Sequence, residues 1–309
     1  MSSKIIVVGS MNMDMVVKTS HIPQPGETVL GGSFFMNPGG KGANQAVSVA
    51  RLGGDVTFVG KIGDDIFGKQ SSQLFDEEGV DTNGILSDHD SPSGIALITV
   101  DEHGENSIVV APGANAHLEP ADVERVLDKY PDSKILLMQL EIPMRTVEFA
   151  AQHAREKGMQ VILNPAPANE HVPGVFHLVD ILTPNVNEAE ALSGIRIADI
   201  TSARQAAESI HAQGVKHVII TLGKDGAALL EEGGVFYHIP APVVETVDTT
   251  AAGDVFNGAL AVALGEGKGL MDATSFACCA ASIAVTKMGA QSSIPFRNEI
   301  LLNSMNNPT

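Results

Sequence analysis

The sequence predicts an α/β fold with a doubly wound, mostly parallel sheet flanked by helices, together with a small β-sheet lid. Three observations support this prediction: apolar strand-like runs alternate with segments of helical periodicity, several runs end in Gly, Asn or Pro, and two stretches lack a helix between their strands. A chain of 309 residues, 44% of them hydrophobic, is long enough to bury a sizeable core. We therefore expect one large domain with an appendage.

Six apolar runs are the predicted strands of the large sheet. They are KIIVVGS (4–10), VTFVGKIG (56–63), KILLMQL (134–140), MQVILNPA (159–166), LVDILTPN (178–185) and HVIITLG (217–223). Helical segments with a Gly at or near their ends lie between them: GANQAVSVARLG (42–53), FGKQSSQLFDEEGV (67–80), MRTVEFAAQHAREKG (144–158) and SARQAAESIHAQG (202–214). Such alternation indicates a parallel sheet with helices on both faces. Ligands of these folds bind beyond the carboxyl ends of the strands, where Gly, Asn and Asp accumulate in this chain.

Residues 11–37 and 92–112 break this alternation. Both stretches have the alternating pattern and the turn residues of antiparallel hairpins. We expect them to form a small sheet that covers the strand ends as a lid, which leaves residues 1–10, 38–91 and 113–309 as the α/β domain that carries the ligand-binding strand ends. A small open sheet must cover its apolar face, so the runs IALITV and SIVVAP predict a homodimer through the lid.

Composition and charge exclude several classes of function. A net charge of −18 argues against binding to nucleic acid or to an acidic membrane, because both require a basic surface. No apolar run reaches the length of a membrane span and no signal-peptide cleavage site follows the start, so we expect a cytoplasmic protein. The only cysteines, Cys278 and Cys279, are adjacent, which excludes a disulfide framework and a four-thiolate zinc site.

The segment VDTTAAGDVFNGAL (247–260) is a candidate phosphate site. Apolar residues follow Gly253 at helical spacing, so a buried helix is predicted to begin near it. Asp254 in the first turn either only complements the helix dipole or has a chemical role. Ala251, Ala252 and Gly253 leave their N–H groups almost unshielded, which favours close approach of a phosphate to the helix N-terminus.

Polar residues after two other predicted strands are candidate ligands of a small molecule. NPGGKGANQA (37–46) is not a P-loop, because Lys41 is followed by Gly. It is either a tight turn or a backbone brought close to a polyhydroxylated ligand, and the three glycines that flank Lys41, with Asn44 one helical step further, favour the ligand. Asp14, in GSMNMD, is either a solvated turn residue or functional. Glu141 follows the apolar run ILLMQL, so its carboxylate is expected to be paired, hydrogen-bonded or functional.

Two further strand ends leave structural and functional interpretations open. TPNVNEAEAL (183–192) contains Asn185 with Glu188 and Asn187 with Glu190, and either pair is a capping box or outer-shell support for a hydrated Mg²⁺. ITLGKDGA (220–227) is either a strand-end turn or a place where a nucleotide approaches the backbone. Its candidate residues are Thr221, Gly223 and Gly226.

Nine segments in this order resemble the ribokinase family of carbohydrate kinases over essentially the whole chain. They are GSMNMD, PGETV, GGKGANQA, MQLE, NPAPA, TPNVNEAE, TLGKDG, VDTTAAGDVFNGA and GAQSSIP. Each segment alone is a weak signal, but nine in register are highly specific. The resemblance implies ATP-dependent phosphorylation of D-ribose at its 5-hydroxyl.

The resemblance also implies a role for each candidate residue. The Asp of AAGD is the family's general base and the preceding amides form an anion hole, so these roles fall on Asp254 and on Ala251, Ala252 and Gly253. The sugar-binding residues are then Asn12, Asp14, Gly40, Lys41, Gly42, Asn44 and Glu141, together with Asp254. The ATP site is lined by Asn185, Thr221, Gly223, Gly226, Gly253 and Cys278, with Glu188 supporting Mg²⁺.

A monovalent cation is a further implication of the resemblance. Such enzymes bind an activating cation, usually K⁺, beside the anion hole, and the matching positions here are Asp248, Thr250, Ala284, Lys287, Gly289 and Ser293. Two departures from the family pattern stand out. The commoner GAGD is AAGD here, which adds a methyl at Ala251 and keeps its N–H, and Cys278 occupies the adenine-contacting position where a His is expected in the nearest relatives.

Two alternatives to a ribose kinase remain at this point. Within the same class, the substrate is 2-deoxyribose or another pentose or a nucleoside. In a different class, the chain is a non-catalytic sugar sensor on the same fold. The intact AAGD with Asp254 disfavours the sensor, because binding alone does not need a base.

Overall fold

A computed structural model describes residues 3–300 of the chain. The strands are β1 (Lys4–Val8), β2 (Asn12–Lys18), β3 (Phe34–Gly39), β4 (Asp55–Gly63), β5 (Asp81–Asp88), β6 (Gly94–Val100), β7 (Asn106–Ala111), β8 (Ile135–Met138), β9 (Gln160–Leu163), β10 (Ile181–Leu182), β11 (His217–Thr221), β12 (Ala227–Leu230) and β13 (Phe236–Ile239). The helices are α1 (Lys41–Arg51), α2 (Ile66–Glu78), α3 (Pro120–Lys129), α4 (Met144–Glu156), α5 (Val186–Ser193), α6 (Ile200–His211), α7 (Ala252–Gly265) and α8 (Leu270–Ala284).

Nine strands form one large sheet in the order β13-β12-β11-β10-β9-β8-β1-β4-β5. The pairs from β5 through β11 are parallel, and only β12 and β13 join antiparallel at one edge. The predicted mostly parallel sheet is therefore confirmed. The sequence pattern did not indicate the antiparallel edge pair.

Successive side chains of β1 explain why the sheet is covered on both faces. Ile5 and Val7 belong to a core with α1, α2, α7 and α8, whereas Ile6 and Val8 belong to a core with α3, α4, α5 and α6. All four side chains are fully buried. Since neighbouring side chains of a strand point to opposite faces, an uninterrupted apolar strand requires helices on both sides, and the doubly wound fold is confirmed.

Helices α1 and α7 lie in close contact, and this contact determines the geometry of the site. A Cβ at Gly258 would lie 2.5 Å from the side chain of Ser48, so only glycine allows this approach. Ser48 Oγ also donates to the Val255 carbonyl at 3.3 Å. The N-terminal turns of both helices consequently lie side by side at the carboxyl ends of the central strands.

The smaller sheet has four strands in the order β3-β2-β6-β7. Its two hairpin pairs are antiparallel, as predicted, and the central pair β2–β6 is parallel. Gly39 and Gly94 flank Asn12 in this register. Strand β3 continues beyond residue 37, to Gly39. The division of the chain into a main domain and a lid stays a prediction.

Within residues 3–300, no helix is both long and apolar enough to cross a membrane.

Candidate active site

Asp254 lies buried in the first turn of α7, between two amide side chains of α1. Asn44 Nδ2 donates to Oδ2 of Asp254 at 2.9 Å, and Gln45 Nε2 donates to Oδ1 at 3.0 Å. Burial raises the pKa of Asp254, and the charge of Lys41 and the two amide hydrogen bonds oppose this rise without cancelling it. The carboxylate is thus held in a water-poor site by neutral donors.

The backbone before Asp254 presents N–H groups to an open space. Ala251 has a left-handed conformation with φ 60°, and it caps the helix without a side-chain hydrogen bond. Among the described residues, the N–H groups of Ala251 and Gly253 have no partner, whereas that of Ala252 donates to the Thr249 carbonyl at 3.2 Å. A Cβ added at Gly253 would meet nothing within 4 Å. Two of the three predicted amides are therefore free to bind an anion.

The Gly-rich turn before α1 packs tightly on the end of β1. A Cβ at Gly42 would lie 2.7 Å from Gly9 Cα, and one at Gly40, where φ is 90°, would lie 2.8 Å from the Asn12 nitrogen. Glycine is thus required at both positions to fit the protein's own backbone. The predicted contacts of Gly40 and Gly42 with a sugar stay predictions.

Glu141 joins the end of β8 to the start of α1. Its Oε2 accepts from Ser10 Oγ at 2.5 Å and from the backbone N–H of Lys41 at 3.0 Å. Oε2 therefore has a structural role, because it accepts a hydrogen bond from an N–H of the first turn of α1 that has no partner within the helix. The other oxygen, Oε1, has no hydrogen bond within the described residues.

The charges of four carboxylates act on the ammonium group of Lys41. Burial lowers the pKa of Lys41, but Asp254, Glu141, Glu188 and Asp14 raise it, and the net direction is upward. Lys41 therefore stays charged at neutral pH. For Asp14, burial and the charges of Glu141 and Asp254 outweigh the influence of Lys41 and raise the pKa to about 6.

Asn12 is held by Asn115, a residue that the sequence did not indicate. Asn115 Nδ2 donates to Asn12 Oδ1 at 2.8 Å, and the same side chain exchanges hydrogen bonds with the backbone of Met11 at 2.9 and 3.1 Å. Asn115 is buried in a short 3₁₀ helix after β7. A polar residue within an otherwise small-residue run, GANA (113–116), was the only available signal.

A cavity of about 510 Å³ lies on the other side of the α7 N-terminus. It is lined by six of the predicted residues: Thr221, Gly223, Gly226, Ala252, Gly253 and Cys278. Val243, Val244 and Phe256 form part of an apolar wall that suits a flat base. The sequence analysis missed this wall, although two valines in a proline-containing loop were a possible signal.

Two predicted residues of the cavity have a structural explanation as well. Burial raises the pKa of Cys278 to about 12, so its thiol stays protonated. A Cβ at Gly226, where φ is 92°, would lie 2.0 Å from the Ile239 carbonyl oxygen, so glycine is required for the turn.

A second cavity, of about 400 Å³, contains none of the predicted site residues, and its Lys216 and Asp180 pair with each other at 2.5 Å.

Asn185 and Glu188 form a capping box at the start of α5. Asn185 Oδ1 accepts from the Glu188 N–H and Glu188 Oε2 accepts from the Asn185 N–H, both at 2.9 Å. Glu190 instead accepts from Ile197 at 2.7 Å, so only the first of the two candidate pairs is a box. The backbone of Asn185 pairs with that of Thr221, at the cavity edge, in an isolated parallel β-bridge. Burial raises the pKa of Glu188, whose charge also acts on Lys41.

The predicted cation residues lie in the loop before α7 and in the segment that begins at Ala284, the last residue of α8, and Asp248 joins these two parts of the chain. Asp248 Oδ1 accepts from the N–H and hydroxyl of Thr250 at 2.9 and 2.7 Å, and Oδ2 accepts from the Gly289 N–H at 2.8 Å. Lys287 is directed to Glu299, at 2.6 Å. The Ala284 carbonyl accepts from the Lys287 N–H at 3.0 Å, and Ser293 Oγ donates to the Ala290 carbonyl at 2.7 Å. Hydrogen bonds from Thr250 and Gly289 outweigh burial and lower the pKa of Asp248.

Comparison with known proteins gives consistent matches over the full length. A sequence profile of the pfkB family carbohydrate kinases matches residues 2–297. The ribokinase of Haemophilus influenzae is 45% identical over 301 residues, which are 97% of this chain and 98% of that protein. The structure of Thermotoga maritima ribokinase is 41% identical, with a TM-score of 0.88 and coverage of 99% and 100%. That of Arabidopsis thaliana ribokinase with ribose and ATP is 34% identical, with a TM-score of 0.88 and coverage of 98% of each chain.

Proposed function

The chain belongs to the pfkB family of carbohydrate kinases, and on that basis we propose that it transfers the γ-phosphoryl group of ATP to the 5-hydroxyl of D-ribose. The products are ribose 5-phosphate and ADP. One observation supports this most directly: a buried carboxylate, Asp254, lies at a helix N-terminus with free amides, between a cluster of polar side chains and a cavity of nucleotide size.

The polar cluster suits a sugar. Asn44 Oδ1 is buried and has no partner among the described residues, so it is an acceptor for a hydroxyl. Asn12 and Asp14 lie at the start of β2 and belong to the same cluster, and Lys41 and Glu141 complete it. Vicinal hydroxyls each offer a donor and acceptors, which is what paired carboxylates and an ammonium group bind.

Asp254 acts as the base in the proposed reaction. As the 5-hydroxyl oxygen bonds to the γ-phosphorus and the bond to the β,γ-bridging oxygen breaks, the hydroxyl proton passes to the carboxylate of Asp254. The amides of Ala251 and Gly253 donate to the phosphoryl oxygens, where negative charge must be stabilised. Lys41 adds a positive charge that needs no reorganisation during the transfer.

The nucleotide occupies the apolar cavity, with its base against Val243, Val244 and Phe256. Cys278 contributes a neutral thiol to the same surface. Mg²⁺, when bound, neutralises charge on the phosphates of ATP. Glu188 has one oxygen committed to the capping box, which leaves Oε1 to accept from a water of the hydrated ion, and carboxylate is a ligand type that Mg²⁺ prefers.

Potassium is proposed to bind next to the anion hole, in the loops 247–250 and 284–293. Asp248 remains ionised, and the loops supply hydroxyls and carbonyls, so the donor set is one of oxygens, as an alkali cation requires. These loops hold the backbone that leads into Ala251. The cation therefore positions the amides of the anion hole without contacting the substrate.

A homodimer through the smaller sheet is part of the proposal. Met36, Leu97 and Val109 lie in one row across the sheet, on the face opposite to Asp14, and are 45%, 51% and 65% exposed. An apolar row of this kind, on a sheet with open edges, fits a second copy of the same surface. The smaller sheet then acts as the lid over the sugar. A cytoplasmic location also remains part of the proposal.

A sugar panel tests the substrate. ADP release is measured with D-ribose, 2-deoxyribose, other pentoses and a nucleoside at equal concentrations. We expect the highest kcat/KM with ribose, about tenfold or more above 2-deoxyribose, because removing the 2-hydroxyl leaves a buried acceptor poorly paired. An equal or higher value for 2-deoxyribose would support the deoxyribose kinase, and sugar binding without any ADP release would support the sensor.

A further inference from the structure

A chain of buried amide side chains connects Asp254 with the carboxyl ends of β8 and β9. Gln45 Nε2 donates to Asp254 Oδ1 at 3.0 Å and to Asn164 Oδ1 at 3.3 Å. Gln45 Oε1 accepts from Gln139 Nε2 at 2.6 Å. Gln45 and Gln139 are fully buried. Every polar atom of the Gln45 side chain is thus committed inside the protein, and none remains for a substrate.

The orientation of each amide follows from a backbone carbonyl. Asn164 Nδ2 donates to the Thr183 carbonyl at 3.1 Å, and a carbonyl can only accept. Asn164 therefore presents its oxygen to Gln45, which must present Nε2 to Asn164 and to Asp254. Only Oε1 of Gln45 is then left to contact Gln139, and because this oxygen can only accept, Gln139 must donate through its Nε2.

Space for this chain is made by a glycine at the end of β1. A Cβ at Gly9 would lie 2.1 Å from Gln139 Oε1, so any other residue would displace the Gln139 amide. Gln139 Oε1 is buried and has no partner among the described residues. The unpaired Oε1 destabilises the folded state, and this cost accompanies the arrangement that places Gln139 Nε2 against Gln45.

We propose that Gln45 is a positioning residue for the reaction assigned above, whose amide, oriented by Asn164 and Gln139, fixes the carboxylate of Asp254 and keeps it a hydrogen-bond acceptor. The inference rests on the proposed function. Gln45 differs from its neighbour Asn44, which also donates to Asp254 but keeps a free oxygen for the sugar. Gln45 acts only through the base.

The charge of Lys41 and the two amide donors together favour the ionised form of Asp254. Lys41 faces it from α1, Asp14 from β2, Glu141 from the loop after β8 and Glu188 from α5. Among the described residues, no basic nitrogen lies within 4.0 Å of the Asp254 carboxylate. Three of the four surrounding charges are negative and disfavour its ionisation. A neutral N–H donor opposes them, because its hydrogen bond to the ionised carboxylate is stronger than its hydrogen bond to the protonated group.

Kinetics of three variants test the proposal. Gln45→Met removes the donor at nearly constant volume, Gln139→Met leaves Gln45 free to turn, and Gln152→Met is the control, because Gln152 is an exposed amide bonded to Glu156. With D-ribose we expect Gln45→Met to lower kcat by about tenfold or more, with KM within about twofold, and to move the acid limb of the kcat profile to higher pH. We expect Gln139→Met to change kcat and the acid limb of the kcat profile in the same directions but by less, and Gln152→Met to change neither.

A carboxyl titration gives a readout that does not depend on activity. With ¹³C-labelled aspartate, the Asp254 signal is assigned by its loss in Asp254→Asn, and its midpoint is expected to rise by about one pH unit in Gln45→Met. Unchanged kcat, pH profile and titration in folded Gln45→Met would overturn the proposal. If Gln45→Met does not fold, the same null result in Gln139→Met overturns it. Absence of ribose phosphorylation by the wild type would instead remove the proposed function, while the titration still decides the role of Gln45.

Discussion

Asn44 Nδ2 donates to Asp254 Oδ2 at 2.9 Å across 210 positions of the chain, and Asn44 Oδ1 is buried without a partner among the described residues. One amide therefore contacts the base at one end and offers an acceptor at the other. A buried acceptor without a partner costs about 1–3 kcal/mol. A sugar hydroxyl that donates to it recovers this free energy and is brought next to the base.

Asp14→Asn is expected to stabilise the chain at neutral pH. The pKa of Asp14 is raised from 3.8 to about 6 in the folded chain, so ionised Asp14 disfavours the folded state. This penalty is absent below pH 3.8 and complete above about pH 6. We expect the free energy of unfolding to rise by about 1–3 kcal/mol at pH 7.5 and by almost nothing at pH 4. Urea unfolding at both pH values measures this, with exposed Asp132→Asn as the control. An equal gain at both pH values would contradict the assignment.

Ala251→Gly is expected to stabilise the fold and to preserve activity. Ala251 has φ 60°, a region in which a side chain is strained and glycine is not. Relief of that strain, less the larger entropy of unfolded glycine, predicts a gain of about 0.5–1 kcal/mol. Turnover is retained because the backbone N–H remains. Ala252→Gly, in the first turn of α7 with an ordinary helical φ, is the matched control and should not stabilise. Thermal unfolding that ranks the two variants the other way would refute the strain.

Activity is expected to depend on potassium. Asp248 accepts two hydrogen bonds from Thr250 within the loop before α7 and one from the N–H of Gly289, which joins the two loops. A cation there fixes the backbone that leads into Ala251. Replacing K⁺ by a bulky organic cation at matched ionic strength should lower kcat and change KM for ribose much less, since the cation does not touch the sugar. Equal rates in the two salts would defeat this prediction.

Leu97→Glu is expected to separate the proposed dimer. Leu97 lies at the centre of the exposed apolar row, with Val109 directly opposite on β7. A carboxylate buried at the centre of a subunit contact would be unpaired, which is strongly unfavourable. Light scattering should give twice the chain mass for the wild type and for the control Met271→Glu, whose side chain is 47% exposed on α8. A monomeric wild type at assay concentration would rule the dimer out.

The sequence predicted the layers of the fold because they depend on local patterns. Continuous apolar strands such as β1, followed by amphipathic helices, leave few arrangements other than a parallel sheet with two covered faces. The edge strands β12 and β13 were not predicted, since each is four residues long and carries little periodicity. The capping box of Asn185 and Glu188 was foreseen as one of two interpretations because its spacing is local.

The sequence predicted a site residue only where its immediate neighbours in the chain indicate its chemical role. Asp254 after three small residues is such a case, and the left-handed conformation of Ala251 is not. Gln45 and Gln139 contact each other across 94 positions, and amides within helical or strand patterns give no sign of such contacts. The valine wall of the nucleotide cavity is formed by a loop without regular structure, whose path depends on the strands it follows.

The most direct test of the account is ADP release with D-ribose by the wild type and by Asp254→Asn, together with the position of the phosphate in the product. We predict one ADP per ribose, phosphate on the 5-oxygen, and a kcat at least about 10²-fold lower in the variant, with ribose binding much less affected. No ADP release with ribose, phosphate on another oxygen, or near-wild-type turnover by Asp254→Asn would contradict it.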